Sequence, residues 1–221
     1  MSTGVHIGII PDGNRRWSAQ HNASVADLLQ KILGLVHNSF QDMRDNPLSN
    51  FHQIDAITLY VLSKDNLMKR QDQTLDMIRN GLDLALKHLH SAASFKMFSF
   101  QSTTKIQFVG ELHLLPEDIQ SKCRDIEKKF NSGTFVVTVG IGYDPVHDTK
   151  RVLLDDGGRP AQRDIDMVIR TGGEIRSSGF FPMHTLYSEW FFLPKLIPDL
   201  TAADINECLG AYFKRSRRFG A

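Results

Sequence analysis

The sequence of 221 residues predicts an α/β protein in which a mostly parallel, six-stranded sheet is flanked by helices. Two observations predict this fold. Short apolar runs, of the kind that parallel strands bury on both faces, alternate along the chain with stretches whose apolar residues recur at helical spacing. We find no internal repeat, low-complexity tract or linker in the sequence, so we expect a single domain over residues 1–221.

The strands are predicted from six apolar runs. They cover residues 5–10, 56–62, 105–109, 135–141, 166–169 and 189–193. The first run stops abruptly at Pro11, which predicts a strand followed by a loop. Parallel strands need crossover connections, and the helical stretches between the runs provide them.

Three of these stretches carry an apolar stripe at helical spacing. The first stripe is Val25, Leu28, Leu29, Ile32, Val36 and Phe40, and the second is Leu75, Ile78, Leu82, Ala85, Leu86 and Leu89. The third, Ile119, Cys123, Ile126 and Phe130, follows Pro116, a residue type favoured at helix starts. Strand alternating with helix predicts right-handed crossovers in one sheet.

Composition argues against several classes of protein. Hydrophobic residues make up 41% of the chain and charged residues 23%, and the net charge of +1 argues against a nucleic-acid partner. The two cysteines are too few for a disulfide framework and lack zinc-ligand spacing. We see no secretory signal and no apolar run of membrane-span length, so we expect a cytoplasmic protein.

A cluster of polar residues follows the fifth apolar run. Its sequence is Arg170-Thr-Gly-Gly-Glu-Ile-Arg-Ser-Ser-Gly-Phe180. Arginine forks match phosphate oxygens, glycine permits close backbone approach, and serine adds donors, so the cluster fits a phosphate site. Taken alone, an ordinary exposed turn explains it equally well.

A second polar cluster follows the first apolar run. Here Pro11 is followed by Asp12, Gly13, Asn14, Arg15 and Arg16. In an open parallel sheet such a loop lies where ligands bind, and the next helix directs its amide donors towards an anion. Asp12 as a helix cap and Gly13 as a turn residue are the alternatives, but capping alone does not call for two arginines.

Together these segments resemble the undecaprenyl diphosphate synthase family, the cis-prenyltransferases. The first motif of that family reads much like Asp12-Gly-Asn-x-Arg-Trp17 and the last much like Ile169-Arg-Thr-Gly-Gly-Glu-x-Arg-x-Ser178. Other stretches resemble the family in the same order along the chain. They are Thr58-Leu-Tyr-Val-Leu-Ser-Lys-Asp-Asn66, Phe108-Val-Gly110, Tyr187-Ser-Glu-Trp-Phe-Phe192, Pro198-Asp199 and Arg217-Arg-Phe-Gly220. The resemblance implies an enzyme that joins prenyl diphosphates.

The resemblance implies two diphosphate sites. The allylic diphosphate is expected on the first loop, at Gly13, Asn14, Arg15, Arg16 and Trp17. The second diphosphate is expected on the late motif, at Arg170, Arg176 and Ser178, with Glu174 as a salt-bridge partner that orients the arginines. The substrates implied are dimethylallyl, isopentenyl or geranyl diphosphate.

The resemblance also implies a metal and a catalytic turn. Magnesium bridges carboxylate to diphosphate in the family, and the matching acids are Asp12 and Glu189. A surface pair with an arginine is the alternative for Glu189. The catalytic residues expected beside the reacting carbons are Asp12, Ser63, Asp65 and Asn66, and Lys69 or Arg70 stands in for a nearby family arginine. A homodimer is implied, in which Arg218 and Gly220 reach the neighbouring site.

The first two helical stripes match the helices that form an apolar prenyl tunnel in the family. For any single leucine of a stripe, ordinary core packing is the alternative. Large side chains that fit a shallow tunnel floor are Met77, Phe95, Met97, Phe98 and Phe100.

Departures from the family pattern bear on the reaction. Residues 18–27 lack the usual basic, glycine-containing stretch, and Asp144-Pro-Val-His stands where Gly-Gly-Arg is expected. The Pro11 to Ser18 opening and Ser177-Ser-Gly-Phe-Phe-Pro182 resemble a smaller branch, the lavandulyl and cyclolavandulyl diphosphate synthases. That branch joins two dimethylallyl diphosphates head to middle, and we expect the same short-chain reaction here.

Three alternatives remain from the sequence. Asn14 and Thr171-Gly-Gly-Glu174 are of the regular type, so cis head-to-tail elongation with isopentenyl diphosphate is the close rival. A noncatalytic partner subunit is disfavoured, because such partners generally lose the acid and the phosphate loop, which are present here. An unrelated nucleotide binder is disfavoured because the chain has no Gly-x-x-x-x-Gly-Lys loop.

Overall fold

The computed structural model describes residues 4–46, 48–69, 71–90, 104–154 and 163–215. The strands in these ranges are β1 Val5–Ile10, β2 Ile54–Ser63, β3 Thr104–Val109, β4 Phe135–Tyr143, β5 Met167–Arg170 and β6 Glu189–Phe192. The α-helices are α1 Asn14–His21, α2 Val25–Asp45, α3 Lys64–Lys69, α4 Gln71–His90, α5 Glu117–Lys129, α6 Pro145–Leu154 and α7 Ala202–Phe213. None of the helices in these ranges is both long and apolar enough to cross a membrane.

The strands form one sheet in the order β3-β4-β2-β1-β5-β6, and every neighbouring pair is parallel. The predicted α/β fold is therefore confirmed, as are the six predicted strands. β2 extends beyond the predicted run at both ends, from Ile54 to Ser63. The extension matters because it carries the strand directly into the turn that the sequence assigns to catalysis.

The central strands β1 and β5 are buried on both faces. Met167 and Ile169 pack in one apolar cluster with Ile7 and Leu209, while Val168 packs in another with Ile10. All four residues of β5 are buried. A parallel strand buried on both faces consists mostly of apolar residues, which explains why β5 was predicted from its apolar run.

The central strand β2 differs because one of its faces is only half-buried. Burial alternates strictly along it, with Ala56, Thr58, Tyr60 and Leu62 on the buried face. The other face, Ile57, Leu59, Val61 and Ser63, is partly exposed. The helices α2 and α4 approach each other here, since a methyl group on Gly81 would lie 3.7 Å from Leu29 Cδ2. From a half-exposed apolar face on a central strand we predict an apolar cleft, which we call the β2 cleft.

The tunnel-floor candidates fall mostly outside the described ranges. Met77 lies half-buried on α4. Phe95, Met97, Phe98 and Phe100 lie between residues 90 and 104, outside the residues that the structure describes. The depth of the β2 cleft therefore stays a prediction.

The amino end of the sheet holds a buried polar network centred on His6, which is 2% exposed. Its Nε2 lies 2.8 Å from Thr58 Oγ1, and its Nδ1 lies 3.1 Å from the Arg163 carbonyl oxygen. Burial, together with the nearby positive charge of Arg163, lowers the pKa of His6 to about 4. His6 is therefore neutral at physiological pH and ties β1 to β2 and to the segment before β5.

Candidate active site

The two polar clusters of the sequence meet at the carboxyl end of the sheet. β1 and β5 are neighbours, and Ile10 pairs with Arg170 in their register. Asp12 and Thr171 therefore continue from adjacent strand ends, and the helix α1 begins just beyond. This edge of a parallel sheet is where ligands bind in open α/β folds.

The backbone of the Asp12 loop is fixed from two sides. Asp12 donates its N–H to Thr171 Oγ1 at 2.9 Å, and its carbonyl oxygen accepts from the Thr171 hydroxyl at 2.8 Å. The same carbonyl accepts the N–H of Ile197 at 3.1 Å. Thr171 is fully buried, so these bonds are shielded from water. The loop is held in place before any ligand arrives, which is what a charge-stabilising site requires.

Gly13 allows the chain to turn from β1 into α1. Its φ of 104° lies in the region that favours glycine, and a methyl group there would lie 2.7 Å from Leu196 Cδ2. Gly13 has no side chain that could cap the first turn of α1. The amides of that turn remain donors for an anion.

Arg170 is the most buried charge of the site, at 3% exposure. It donates to Asp12 Oδ2 at 3.0 Å, to Ser178 Oγ at 2.7 Å and to the carbonyl oxygen of Arg176. A buried guanidinium needs a carboxylate partner, and Asp12 supplies it. Arg170 therefore joins the first loop to the late motif.

Arg16 makes a second link between the loops. Its Nη2 donates to the Gly172 carbonyl oxygen at 2.8 Å and lies 3.5 Å from Asp12 Oδ1. A methyl group on Gly172 would lie 2.6 Å from the same nitrogen, and the φ of Gly172 is 87°. Only glycine lets the two loops approach this closely.

The remaining late-motif residues face solvent. Arg176 is 60% exposed and pairs with Glu174, whereas Arg170 pairs with Asp12. Ser178 is exposed and has a φ of 50°, which is uncommon for a residue other than glycine. The Arg176 guanidinium and the first-loop side chains Arg15 and Arg16 are thus reachable cations at this edge.

The second turn lies beside the late motif. Ser63 Oγ accepts the N–H of Asn66 at 3.2 Å, and Asp65 and Lys69 are exposed on α3. Tyr60, on β2 just before this turn, donates its hydroxyl to the Ser178 carbonyl oxygen at 3.2 Å. Burial raises the pKa of Tyr60 to about 12, so the phenol stays protonated and keeps that bond.

Trp17 is placed differently from the other first-loop residues. It is 4% exposed, and its indole Nε1 donates to Asp199 Oδ1 at 2.8 Å. In this position Trp17 anchors α1 to the segment after β6. Its direct contact with a substrate stays a prediction.

Glu189 is not brought beside Asp12 within one chain. It pairs with Met167 at the start of β6, whereas Arg170 pairs with Phe192 at the end. Three residues of parallel strand separate the two levels by about 10 Å. The carboxylate instead forms an ion pair with Arg215, the surface pairing that the sequence left open. The Asp12 and Glu189 metal pair therefore stays a prediction.

Few of the described residues could coordinate a magnesium ion at this edge. In the described part of the chain, no group of three or more His, Cys, Asp or Glu residues could hold a metal ion. Asp12 offers a carboxylate that is 34% exposed, and Asn14 Oδ1 is buried without a hydrogen-bond partner among the described residues. Magnesium commonly takes one or two carboxylates and completes its shell with phosphate and water oxygens. The residues present therefore fit a magnesium ion bound together with a diphosphate.

Some functional residues were missed by sequence reasoning. Thr171 and Tyr60 lie inside quoted motifs but were assigned no role, and Arg215 lies outside every quoted motif. Their roles come from partners more than 20 residues away, which a local pattern does not reveal. Arg70, Arg218 and Gly220 lie outside the residues that the structure describes.

The fold and this edge define a class of protein. The sheet edge carries an open helix N-terminus, arginines and an acid, and it adjoins the half-exposed apolar face of β2. Such an edge fits an anionic substrate with an apolar part. Comparison with known proteins identifies the family. A family model described as putative undecaprenyl diphosphate synthase matches residues 10–220. The chain belongs to this family, the cis-prenyltransferases, and is a prenyl diphosphate synthase.

Curated relatives agree along the full chain. A tritrans,polycis-undecaprenyl-diphosphate synthase (geranylgeranyl-diphosphate specific) of Sulfurisphaera tokodaii is 30% identical, over 98% of this chain and 87% of its own. A Sulfolobus acidocaldarius enzyme of similar name is 31% identical with the same coverage. An isoprenyl transferase of Rickettsia sibirica is 29% identical, over 97% of both chains.

Solved structures show the same fold. Lavandulyl diphosphate synthase from Lavandula x intermedia, in complex with dimethylallyl diphosphate, has a TM-score of 0.74 and 22% identity, covering 100% of this chain and 99% of its own. A probable undecaprenyl diphosphate synthase from Campylobacter jejuni has a TM-score of 0.67 and 22% identity, covering 100% of both chains. The prenyltransferase fold predicted from the sequence is confirmed.

Proposed function

We propose that the chain is a magnesium-dependent, short-chain prenyl diphosphate synthase that joins two dimethylallyl diphosphates head to middle. One observation supports the prenyl diphosphate substrates above all. The half-exposed face of β2, with Leu59 and Val61, runs directly to Ser63 at the polar edge. A diphosphate bound at the strand ends would leave its hydrocarbon chain against this apolar face.

In the proposed reaction the bond between C1 and oxygen of one substrate breaks, and pyrophosphate leaves with the electron pair. The double bond of the second substrate attacks C1 through its middle carbon, and the resulting cation loses a proton from a neighbouring methyl group. The first-turn amides of α1, with Arg15 and Arg16, stabilise the leaving pyrophosphate. Arg170 and Arg176 hold the second diphosphate so that its double bond faces C1.

Asp12 would hold the magnesium ion, which when bound offsets negative charge on the diphosphate. Arg170 fixes the Asp12 carboxylate at 3.0 Å, so the acid is already oriented. The turn of Ser63, Asp65 and Asn66 would orient the second substrate or receive its proton, and a hydrogen bond from the Asn66 N–H to Ser63 Oγ supports a fixed turn.

The connection between α1 and α2 supports the short-chain, irregular reaction. α1 ends at His21 and is followed by its C-cap residue Asn22, which has a φ of 47°. α2 then begins after its N-cap residue Ser24, which forms a capping box with Asp27. The residues of this connection cap helices and supply no arginine or lysine. In this proposal the protein cations at the first diphosphate are the two arginines of α1, an arrangement that fits a small allylic substrate better than repeated rebinding of a growing chain.

Regular cis elongation with isopentenyl diphosphate is the second candidate. The relatives that favour it are named as undecaprenyl diphosphate synthases and isoprenyl transferases. The intact Thr171-Gly-Gly-Glu174 motif, which holds the Asp12 loop, is also of the regular type.

Product analysis separates the two candidates. The protein is incubated with Mg²⁺ and dimethylallyl diphosphate alone, then with isopentenyl diphosphate added, and the dephosphorylated products are identified by mass spectrometry. We expect a branched or cyclic ten-carbon alcohol from dimethylallyl diphosphate alone. Product that forms only with isopentenyl diphosphate would instead establish regular elongation, and its length would report the depth of the β2 cleft.

We also propose that the active form is a homodimer. β6 is an edge strand whose four residues are all partly exposed, including Trp190, Phe191 and Phe192. An apolar edge strand of this kind favours a protein partner. The family resemblance adds that the tail with Arg218 and Gly220 serves the neighbouring site.

Subunit complementation tests the dimer. One variant lacks residues 217–221 and a second carries Asp12→Asn, and each is expected to be inactive by itself. If the tail serves the neighbouring site, co-expression restores activity, because the mixed dimer has one intact site with a tail beside it. Co-expressed subunits that stay inactive would contradict the proposal. So would full activity in a protein that light scattering shows to be a monomer.

A further inference from the structure

The carboxyl ends of β2 and β4 are joined by an ion pair between Lys64 and Asp144. Ser63 and Tyr143 are paired in the register, and the next residues, Lys64 and Asp144, face each other. Lys64 Nζ donates to Asp144 Oδ2 at 2.8 Å. The pair ties the first residue of α3, and so the turn of Ser63 and Asn66, to the start of α6.

Asp144 is itself fixed by α6. Its Oδ1 accepts the N–H groups of Val146 at 2.9 Å and His147 at 3.2 Å, so it caps the N-terminus of the helix. One carboxylate oxygen thus caps α6 while the other binds Lys64. The hydrogen bond from Lys64 lowers the pKa of Asp144, which keeps the carboxylate charged.

The start of α6 also contacts the late motif. A methyl group on Gly179 would lie 2.9 Å from Pro145 Cγ, so the proline ring packs directly against that glycine. Gly179 follows Ser178, whose hydroxyl accepts from Arg170. Asp144 therefore contacts the turn proposed to lie beside the reacting carbons, through Lys64. Pro145 contacts the loop proposed to hold the second diphosphate, at Gly179.

We propose that Asp144 is a positioning residue for the reaction, and this proposal rests on the proposed function. Through Lys64 it holds the turn of Ser63, Asp65 and Asn66, and through Pro145 it holds the Arg176 to Gly179 loop, at a fixed separation. A Gly-Gly pair, as in the resembled family, has neither a carboxylate for Lys64 nor a ring against Gly179. The second substrate is thereby oriented through Asp144 and Pro145.

The variants separate positioning from stability. Asp144→Asn keeps the helix cap, since asparagine caps as well as aspartate, but removes the charge that binds Lys64. Lys64→Met removes the other partner, and Lys64→Arg keeps the pair. Asp83→Asn is the matched control, because Asp83 forms an ion pair of the same 2.8 Å length with Lys122. The Lys64 and Asp144 side chains are 39% and 20% exposed, so we expect little change in Tm.

Steady-state kinetics with Mg²⁺ and dimethylallyl diphosphate gives the first readout. We expect kcat to fall about tenfold in Asp144→Asn and in Lys64→Met, with KM nearly unchanged, because small misplacements of reacting groups act on the chemical step. The double variant should be no slower than either single one. Lys64→Arg and Asp83→Asn should keep wild-type kcat. Wild-type kcat in Asp144→Asn, or losses that multiply in the double variant, would overturn the proposal.

Hydrogen exchange gives a readout that does not depend on activity. Peptides covering residues 61–69 should exchange several-fold faster in Asp144→Asn than in the wild-type protein or in Lys64→Arg. Unchanged exchange in Asp144→Asn would overturn the proposal even if the enzyme is active. A wild-type protein that turns over no prenyl diphosphate would instead overturn the proposed function, and exchange would still decide whether Asp144 fixes the turn.

Discussion

The two ends of the sheet use polar residues in opposite ways. At the carboxyl end, Asp12 is 34% and Arg176 60% exposed, and Asn14 Oδ1 and Arg170 Nε have no hydrogen-bond partner among the described residues. At the amino end, His6 is 2% exposed, and both ring nitrogens lie within hydrogen-bond distance of oxygens. One end keeps charge and hydrogen-bonding capacity for a ligand, and the other uses polar groups to join strands.

This difference follows from the direction of the strands. Helices that follow parallel strands begin at the carboxyl end of the sheet, so their amide donors meet there. The backbone at that end is nevertheless fixed, since Thr171 holds Asp12 on both its N–H and its carbonyl oxygen. Reachable side chains on a fixed backbone are what an enzyme site needs.

The largest effect is expected at the carboxyl end, from Asp12. Replacing it with alanine would leave the buried Arg170 without its carboxylate partner and would confuse activity with stability. Asp12→Asn keeps an acceptor for Arg170 but removes the charge for magnesium, so we expect kcat to fall roughly 10³-fold with little change in Tm. Asp76→Asn, on an exposed face of α4, is the control. Activity within a few-fold of wild type would refute the role of Asp12.

The polar network at the amino end of the sheet can be tested by the pH dependence of stability. Because the pKa of His6 is about 4 in the folded protein and 6.5 ordinarily, the unfolded chain binds the proton more tightly. The contribution of His6 is complete above pH 6.5 and is lost as the pH falls towards 4. The free energy of unfolding should fall by about 3 kcal/mol in total from this residue.

Urea unfolding at several pH values measures this contribution. The His6→Gln variant should show a flatter pH dependence between pH 7 and 5 than the wild-type protein, while the exposed His52→Gln control should follow the wild type. Identical pH profiles for His6→Gln and the wild type would show that the network at the amino end does not hold His6 neutral.

Arg176→Ala should act on binding of the second substrate. Loss of a charged hydrogen bond costs about 1.5 to 3 kcal/mol, or roughly 10- to 100-fold in KM for the acceptor diphosphate. Arg124→Ala, an exposed arginine on α5, is the control and should leave KM unchanged. A KM that changes less than twofold in Arg176→Ala would place the second diphosphate elsewhere.

The smallest effect is expected from Trp17→Phe. The variant keeps the buried ring but loses the indole donor to Asp199, at a cost of about 1 kcal/mol in the free energy of unfolding. Asp199→Asn retains an oxygen acceptor and should cost less. A loss of activity with unchanged stability in Trp17→Phe would support direct contact of Trp17 with the substrate.

Much of the site could be predicted from local sequence, and the rest could not. Asp12 and Arg170 were found because each follows an apolar run that ends at a polar cluster. Their mutual contact at 3.0 Å depends on β1 lying beside β5, which joins residues 158 positions apart. Thr171 was missed for the same reason, since nothing in its own neighbourhood indicates a bond to Asp12.

Glu189 shows most clearly what a sequence motif cannot predict. Its motif predicted a metal ligand, but the parallel register places it at the start of β6, level with Met167 and beside Arg215. A motif gives residue types and spacing along the chain, whereas register sets the level of a residue along the sheet. The metal-ligand role of Glu189 therefore stays a prediction.

The sequence by itself determined the strands, the helical stripes, the polar clusters at strand ends and the family. These are local properties, because burial on both faces, helical periodicity and chain turns are each set by a few neighbouring residues. The tertiary structure alone decided which clusters meet, that one face of β2 stays half-exposed, and that Asp144 joins the second turn to the late motif. Those features depend on strand order and register, which are fixed by packing between residues far apart in the chain.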